Sequence, residues 1–264
     1  MLELNKIYQG DCLEIMKKID DKSIDMILCD LPYGTTACSW DEIIPFDKLW
    51  EQYKRIIKDN GAIVLTASQP FTSKLVISNL EMFKYEWIWE KQKASNFMSF
   101  NFQPAKYHEN IIVFCKNTPI YNPIKWIIEE DKRDKRKTIN NPLTNKDGIH
   151  GGIIRIRNED DGTRYPKSII KIDKSINGNI HPTQKPVALF EYLIKTYTNK
   201  GMLVLDNCIG SGTTAVACIN TNRKFIGIEL EPKYVEIANQ RIKEAQVQSK
   251  LVVDSVVSDK GDTK

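Results

Sequence analysis

Apolar positions along this chain fall into short continuous runs that alternate with stretches of helical spacing. Residues 24–28, 62–66, 202–205 and 224–228 are almost wholly apolar and bounded by turn formers, the pattern of strands buried on both faces of a parallel sheet. Residues 85–89 and 110–114 read as further strands, with Trp87 and Trp89 on one face and therefore in the core. Leu49, Trp50, Tyr53, Ile56 and Ile57 recur at helical spacing, predicting a helix over 46–58 that stops at Asn60-Gly61. A helix over 69–80 would hold Pro70 in its first turn, and 187–197, 212–220 and 232–245 predict three more. Strand and helix units in alternation imply an α/β domain, a mostly parallel twisted sheet with helices on both faces.

The rhythm fades over 117–180, which carries scattered Pro and Gly and is too long for a simple connection. The whole chain has a net charge of +4, yet residues 116–174 alone hold 14 Lys and Arg against 9 Asp and Glu. Such a local excess suits a phosphate-contacting surface, and a solvated charged loop would give the same count. The expected organisation is one domain in two halves, 1–116 and 181–245, interrupted by a basic insertion over 117–180 and followed by a flexible tail over 246–264. No apolar run reaches the roughly 20 residues of a membrane span, and residues 1–10 lack a signal-peptide pattern, so a cytoplasmic protein is expected. The 6 cysteines form no C-x-x-C pair and the 3 histidines do not cluster with them, which points to reduced, mostly buried thiols and no metal site.

Two strings sit where buried parallel strands end, the edge at which α/β sheets bind ligands. Asp206 to Thr213 has the form D-x-x-x-G-x-G at a strand-to-helix turn, with Gly210 and Gly212 letting the backbone approach a ligand. The following helix, opening with Thr213 and Thr214, offers its N-terminal amides. Glu229 closes the next strand, where an acid can hold both ribose hydroxyls of a nucleoside. A dinucleotide would fit the same glycines, but Asp206 beside a pyrophosphate is electrostatically unfavourable. A sulfonium and an α-ammonium suit that carboxylate, which favours S-adenosyl-L-methionine as the cofactor. The second string is Asp30-Leu31-Pro32-Tyr33-Gly34. An exocyclic amino group is a poor nucleophile until its lone pair is aimed; the Asp30 carboxylate can accept one N–H and the Leu31 carbonyl the other. Pro32 fixes the turn and Tyr33 can stack on a base, which must then leave its duplex. Read alone, the string is also an ordinary strand-ending turn.

These strings resemble the DNA amino-methyltransferases of bacteria and phages, in the group whose catalytic motif precedes the donor motif. The family string is D/N/S-P-P-Y/F/W, and Leu31 departs from it at a position that acts through its backbone. The resemblance extends from Gly10-Asp11, with Asp11 at the donor adenine, to His181-Pro182-Thr183-Gln184-Lys185-Pro186, which leads into the donor-binding helix. His181, Thr183 and Lys185 thereby join the expected donor set. The family implies a Rossmann-like, S-adenosyl-L-methionine-dependent fold, and places its target-recognition region where the basic insertion falls. An Asp-headed string resembles the adenine N6 enzymes and a Ser-headed one the cytosine N4 enzymes. The chain also lacks the Pro-Cys dipeptide of methylases that attack a base carbon.

By analogy Lys91, Lys93, Ser95 and Asn96 would contact phosphates beside the flipped base, and Arg155, Arg157 and Arg164 would read base edges. His108-Glu109 precedes a strand, and a structural hydrogen bond is the expectation for His108. The implied partner is double-stranded DNA, with no membrane; the family also allows a homodimer and a cognate restriction endonuclease. The alternatives are a cytosine-N4 enzyme, an enzyme acting on RNA or protein, a non-catalytic DNA-binding module and, more distantly, a nicotinamide oxidoreductase.

Overall fold

The computed structural model describes residues 2–35, 41–130, 161–173 and 184–258. Its first half runs β1 (Lys6–Gln9), α1 (Cys12–Met16), β2 (Ile24–Cys29), α2 (Phe46–Ile56), β3 (Ile57–Ala67), α3 (Phe71–Ile77), β4 (Phe83–Glu90) and β5 (His108–Phe114). Two short strands follow, β6 (Trp126–Ile127) and β7 (Thr163–Arg164), then β8 (Ile169–Lys171). The second half is α4 (Val187–Tyr197), β9 (Leu203–Asp206), α5 (Thr213–Asn220), β10 (Lys224–Glu229) and α6 (Pro232–Ser258).

Eight strands make one sheet in the order β1-β10-β9-β2-β3-β5-β4-β8. Only β5 runs against its neighbours; every other pairing is parallel. The apolar runs explain this arrangement, because β2, β3, β9 and β10 are buried on both faces and need cover above and below. One face packs Met26, Leu28, Val64 and Val204 against Leu193 of α4, Ala217 of α5 and Ile242 of α6. The other packs Ile27, Cys29, Leu65 and Leu205 against Met16 of α1, Tyr53 of α2 and Leu75 of α3. A parallel order with crossover helices brings the ends of β1, β2, β3, β4, β9 and β10, and the start of β5, to a single edge. Trp87 and Trp89 lie in the core as their spacing implies.

Three expectations change. The helix over 46–58 ends at Ile56 and the chain passes straight into β3, so Asn60-Gly61 lies inside a strand. Register is the cause: Ile57 pairs with Ile24, the ladder shifts between Ile24 and Met26, and a Cβ on Gly61 would meet Ile57 Cδ1 at 2.7 Å and the Asp25 carbonyl at 2.9 Å. The basic insertion is narrower than 117–180. A compact unit spans Pro123–Lys167, whereas β8 joins the main sheet beside β4 with Ile170 buried. Three residues are too few to show a period, and only the pairing identifies them. Finally, α6 does not end at Ala245 but continues to Ser258, as no Gly or Pro over 246–258 stops it.

Within the Pro123–Lys167 unit, β6 and β7 form an antiparallel pair with Trp126 opposite Arg164. Lys125 lies over the Tyr165 ring at 4.8 Å and Lys167 over Trp126 at 5.6 Å, so two exposed aromatics are each capped by a cation. Among the described residues, no helix is long and apolar enough to cross a membrane.

Candidate active site

Asp30 follows the last residue of β2, so the apolar strand delivers a carboxylate to the ligand-binding edge. Both its oxygens are engaged. Oδ1 accepts the Tyr33 hydroxyl at 2.7 Å and the Thr66 hydroxyl from β3. Oδ2 accepts the Lys185 ammonium at 2.7 Å. Tyr33 stacks on buried Phe71, with ring centroids 5.0 Å apart and planes 26° from parallel. The turn beyond is tied by Asp41, which accepts the amides of Gly34 and Thr35 at 2.9 Å each. Leu31 is buried and Pro32 half-buried, so the turn is anchored from below.

Lys185 is the centre of this cluster. Its side chain is 7% exposed and also lies 3.3 Å from Glu109 Oε2, on β5, and 5.6 Å from the Tyr33 ring centroid. Glu109 Oε1 in turn accepts from Lys91 Nζ at 3.0 Å. Burial opposes charge on Lys185, but the carboxylates of Asp30 and Glu109 outweigh it and hold the ammonium above the ordinary lysine range. Burial likewise opposes charge on Glu109, yet Lys185 and Lys91 keep it below the usual carboxylate range. Two carboxylates and two ammonium groups thus form a largely buried network in which every charge is paired.

The expected donor pocket lies at the ends of β9 and β10. Asp206 is buried; Oδ1 accepts the Cys208 amide at 3.1 Å and Oδ2 the Thr214 hydroxyl. Burial pushes its carboxyl up to about 7, against the pull of those bonds. Glu229 Oε2 accepts the Gly210 amide at 2.8 Å and Oε1 the Glu231 amide at 2.9 Å, and burial raises its carboxyl too. A carboxylate offers about four acceptor positions, so these amides leave Glu229 acceptor capacity of the kind expected for a ribose hydroxyl. Gly212 has φ +85°, and a Cβ there would sit 2.9 Å from Ala238 Cβ of α6. Gly210, at φ +52°, has nothing within 4 Å of its Cβ position, leaving open space beside the loop. Arg241 pins the loop from outside by donating to the Ser211 carbonyl at 2.6 Å. Buried acids with no counter-cation among the described residues, around an open glycine turn at a helix N-terminus, fit a cationic nucleoside such as S-adenosyl-L-methionine.

The structure brings together Asp30, Tyr33, Asp206, Gly210, Gly212, Thr213, Thr214 and Glu229 along one sheet edge. Asp11 caps α1, accepting the amides of Leu13 at 2.7 Å and Glu14 at 3.2 Å, and remains exposed. Lys185, expected in the donor set, contacts the Asp30 carboxylate, because the chain entering α4 passes beside the end of β2. Lys91, expected at phosphate, is 9% exposed and spent on Glu109. Asn96 pins its own loop, donating to Pro104 at 3.0 Å and accepting the Lys106 amide at 2.7 Å. The Ser95 amide donates to the Lys106 carbonyl at 3.1 Å, and Lys93 is exposed. Arg164 lies on β7, donating to the Thr163 carbonyl. His181, Thr183, Arg155 and Arg157 lie outside the described residues. His108 is exposed at the start of β5.

Sequence reasoning missed Thr66, Phe71 and Glu109. Thr66 is the one hydroxyl in the apolar run of β3, a signal that was legible. Glu109 had no signal, because only the antiparallel course of β5 brings its start to the edge where β2 ends.

Against known proteins, a family profile described as DNA methylase matches residues 24–240. The DNA adenine methyltransferase YhdJ of Escherichia coli K12 is 29% identical over 91% of this chain and 83% of its own. The type II methyltransferase M1.MboII of Moraxella bovis is 27% identical over 94% of this chain and all of its own. Among solved structures, the M1.HpyAVI–SAM complex superimposes with a TM-score of 0.59 at 26% identity, covering 89% of this chain and 98% of that one.

Proposed function

The chain belongs to the DNA methylase family, and on that premise we propose that it transfers the methyl group of S-adenosyl-L-methionine to the exocyclic N6 of adenine in duplex DNA. The observation that carries this reading is the placement of the Asp30 carboxylate at the end of β2, on the strand next to β9, whose end bears Asp206. When bound, S-adenosyl-L-methionine supplies a methyl group on a cationic sulfur. Asp206 and Glu229 would hold its cationic and ribose groups, and the open turn at Gly210 leaves room for them. Asp30 accepts one N–H of the target amino group and the Leu31 carbonyl the other, aiming the nitrogen lone pair at the methyl carbon. Tyr33, held by Phe71 and by its bond to Asp30, offers a flat apolar surface to the extruded base.

The preference for adenine rests on the Asp-headed string and on the relative named as a DNA adenine methyltransferase. The loop over 91–107 carries no acidic residue and presents Phe97, Met98, Phe100 and Phe102 to solvent beside exposed Lys93, a surface suited to duplex DNA. We infer that Arg164 and the basic insertion supply site recognition; membership of the family is what supports a cytoplasmic enzyme, and it allows a homodimer and a cognate endonuclease. The test is incubation with labelled S-adenosyl-L-methionine and mixed-sequence duplex DNA, digestion to nucleosides and identification by mass. N6-methyladenine is expected. N4-methylcytosine would keep the mechanism and overturn the base, and an unlabelled digest would overturn both.

A further inference from the structure

Asp30 faces a competition that its proposed role does not resolve by itself. Its Oδ1 already accepts two hydroxyls, and its Oδ2 is held by the Lys185 ammonium at 2.7 Å. An arriving amino N–H must share or displace one of these bonds. The least costly partner to move is Lys185, because a second acceptor lies beside it. Glu109 Oε2 is buried and lies 3.3 Å from Nζ, a longer contact than the 2.7 Å bond to Asp30, while Oε1 of the same carboxylate is fixed by Lys91. A buried carboxylate oxygen served only by a long contact has acceptor capacity to spare, so a shift of the ammonium toward it is repaid.

We propose that Lys185 is a positioning residue whose ammonium passes from Asp30 Oδ2 to Glu109 Oε2 when the target amino group arrives. Before the base enters, Lys185 orients the Asp30 carboxylate and neutralises it. On entry the substrate N–H takes the vacated lone pair, and the ammonium completes the hydrogen bonding of Glu109. No proton changes hands and the charge of the network stays at zero, so the exchange requires only rotation about the terminal bonds of a flexible side chain. This inference rests on the reading of Asp30 as acceptor of the target amino group.

The test is a double-mutant cycle on the full chain, with kcat and KM for duplex DNA and donor affinity by calorimetry for wild type, Glu109→Gln, Lys185→Gln and the double variant. Glu109→Gln keeps the bond to Lys91 but attracts the ammonium less, so kcat should fall about tenfold or more while donor affinity stays within about twofold. In the Lys185→Gln background, where no ammonium must be released, the same change should alter kcat by less than about twofold. An equal factor in both backgrounds, or a Glu109→Gln enzyme at wild-type kcat, overturns the exchange. Should Glu109→Gln fail to fold, Lys185→Arg serves, since a guanidinium can bridge both carboxylates and would not release Asp30. Its kcat should drop at unchanged donor affinity, and a wild-type kcat refutes the proposal. A wild-type protein that methylates no nucleoside removes the function and the exchange together; an active one with an additive cycle removes the exchange alone.

Discussion

Asp206→Asn is the perturbation whose consequence is most fully set by the structure. Burial raises the Asp206 carboxyl from 3.8 to about 7, even though Thr214 and the Cys208 amide bond to it. A pKa raised on folding means that the folded state holds the proton more tightly than the unfolded chain. Its contribution is therefore complete below pH 3.8 and lost as pH rises to about 7, a total of about 4 kcal/mol. Between pH 5 and pH 8 the loss amounts to about 2.5 kcal/mol. The amide of Asp206→Asn does not ionise, so its stability relative to wild type should grow by that amount over the same interval. Urea unfolding of both proteins at the two pH values measures it, and other titrating groups cancel in the difference. A cationic donor reverses the balance by favouring ionised Asp206. Donor affinity of the wild type should rise about eightfold from pH 6 to pH 7.5 and that of the variant should stay flat. Parallel stability curves for the two proteins would refute the buried carboxylate raised by desolvation.

Three further outcomes are expected. Gly212→Ala places a Cβ at 2.9 Å from Ala238 Cβ in a left-handed backbone, and should cost about 2–4 kcal/mol in urea unfolding and weaken donor binding; an unchanged midpoint would contradict the close packing of α6 on the loop. Asp30→Ala should lower turnover by about 10²–10³ at donor affinity within about threefold, and loss of donor binding would misplace its role. Lys93→Gln should reduce the slope of log DNA affinity against log salt by about 1, whereas an unchanged slope would remove Lys93 from the phosphate contacts.

The local pattern of the chain determined much of this. The continuous apolar runs of β2, β3, β9 and β10 read as parallel strands because burial on both faces leaves no polar alternation, and α4 matches its periodic span at both ends. Asp30, Asp206, Gly210, Gly212 and Glu229 were legible because turns that follow buried strands have few solutions, each with its own residue types. What lay beyond sequence depends on partners far apart along the chain. The helix after Phe46 yields to a strand because Ile57 finds Ile24, a ladder bond that outweighs the local stop signal at Gly61. Residues 169–171 become a strand because Ile170 can be buried beside Trp89 of β4. Lys185 and Glu109 meet at Asp30 only because the chain entering α4 and the start of β5 both lie at the sheet edge where β2 ends. Sequence fixes what a residue can offer within its own strand, helix or turn. Which charges share a buried space, and so which acceptor is left for a substrate, is decided by the packing of segments that are distant in sequence.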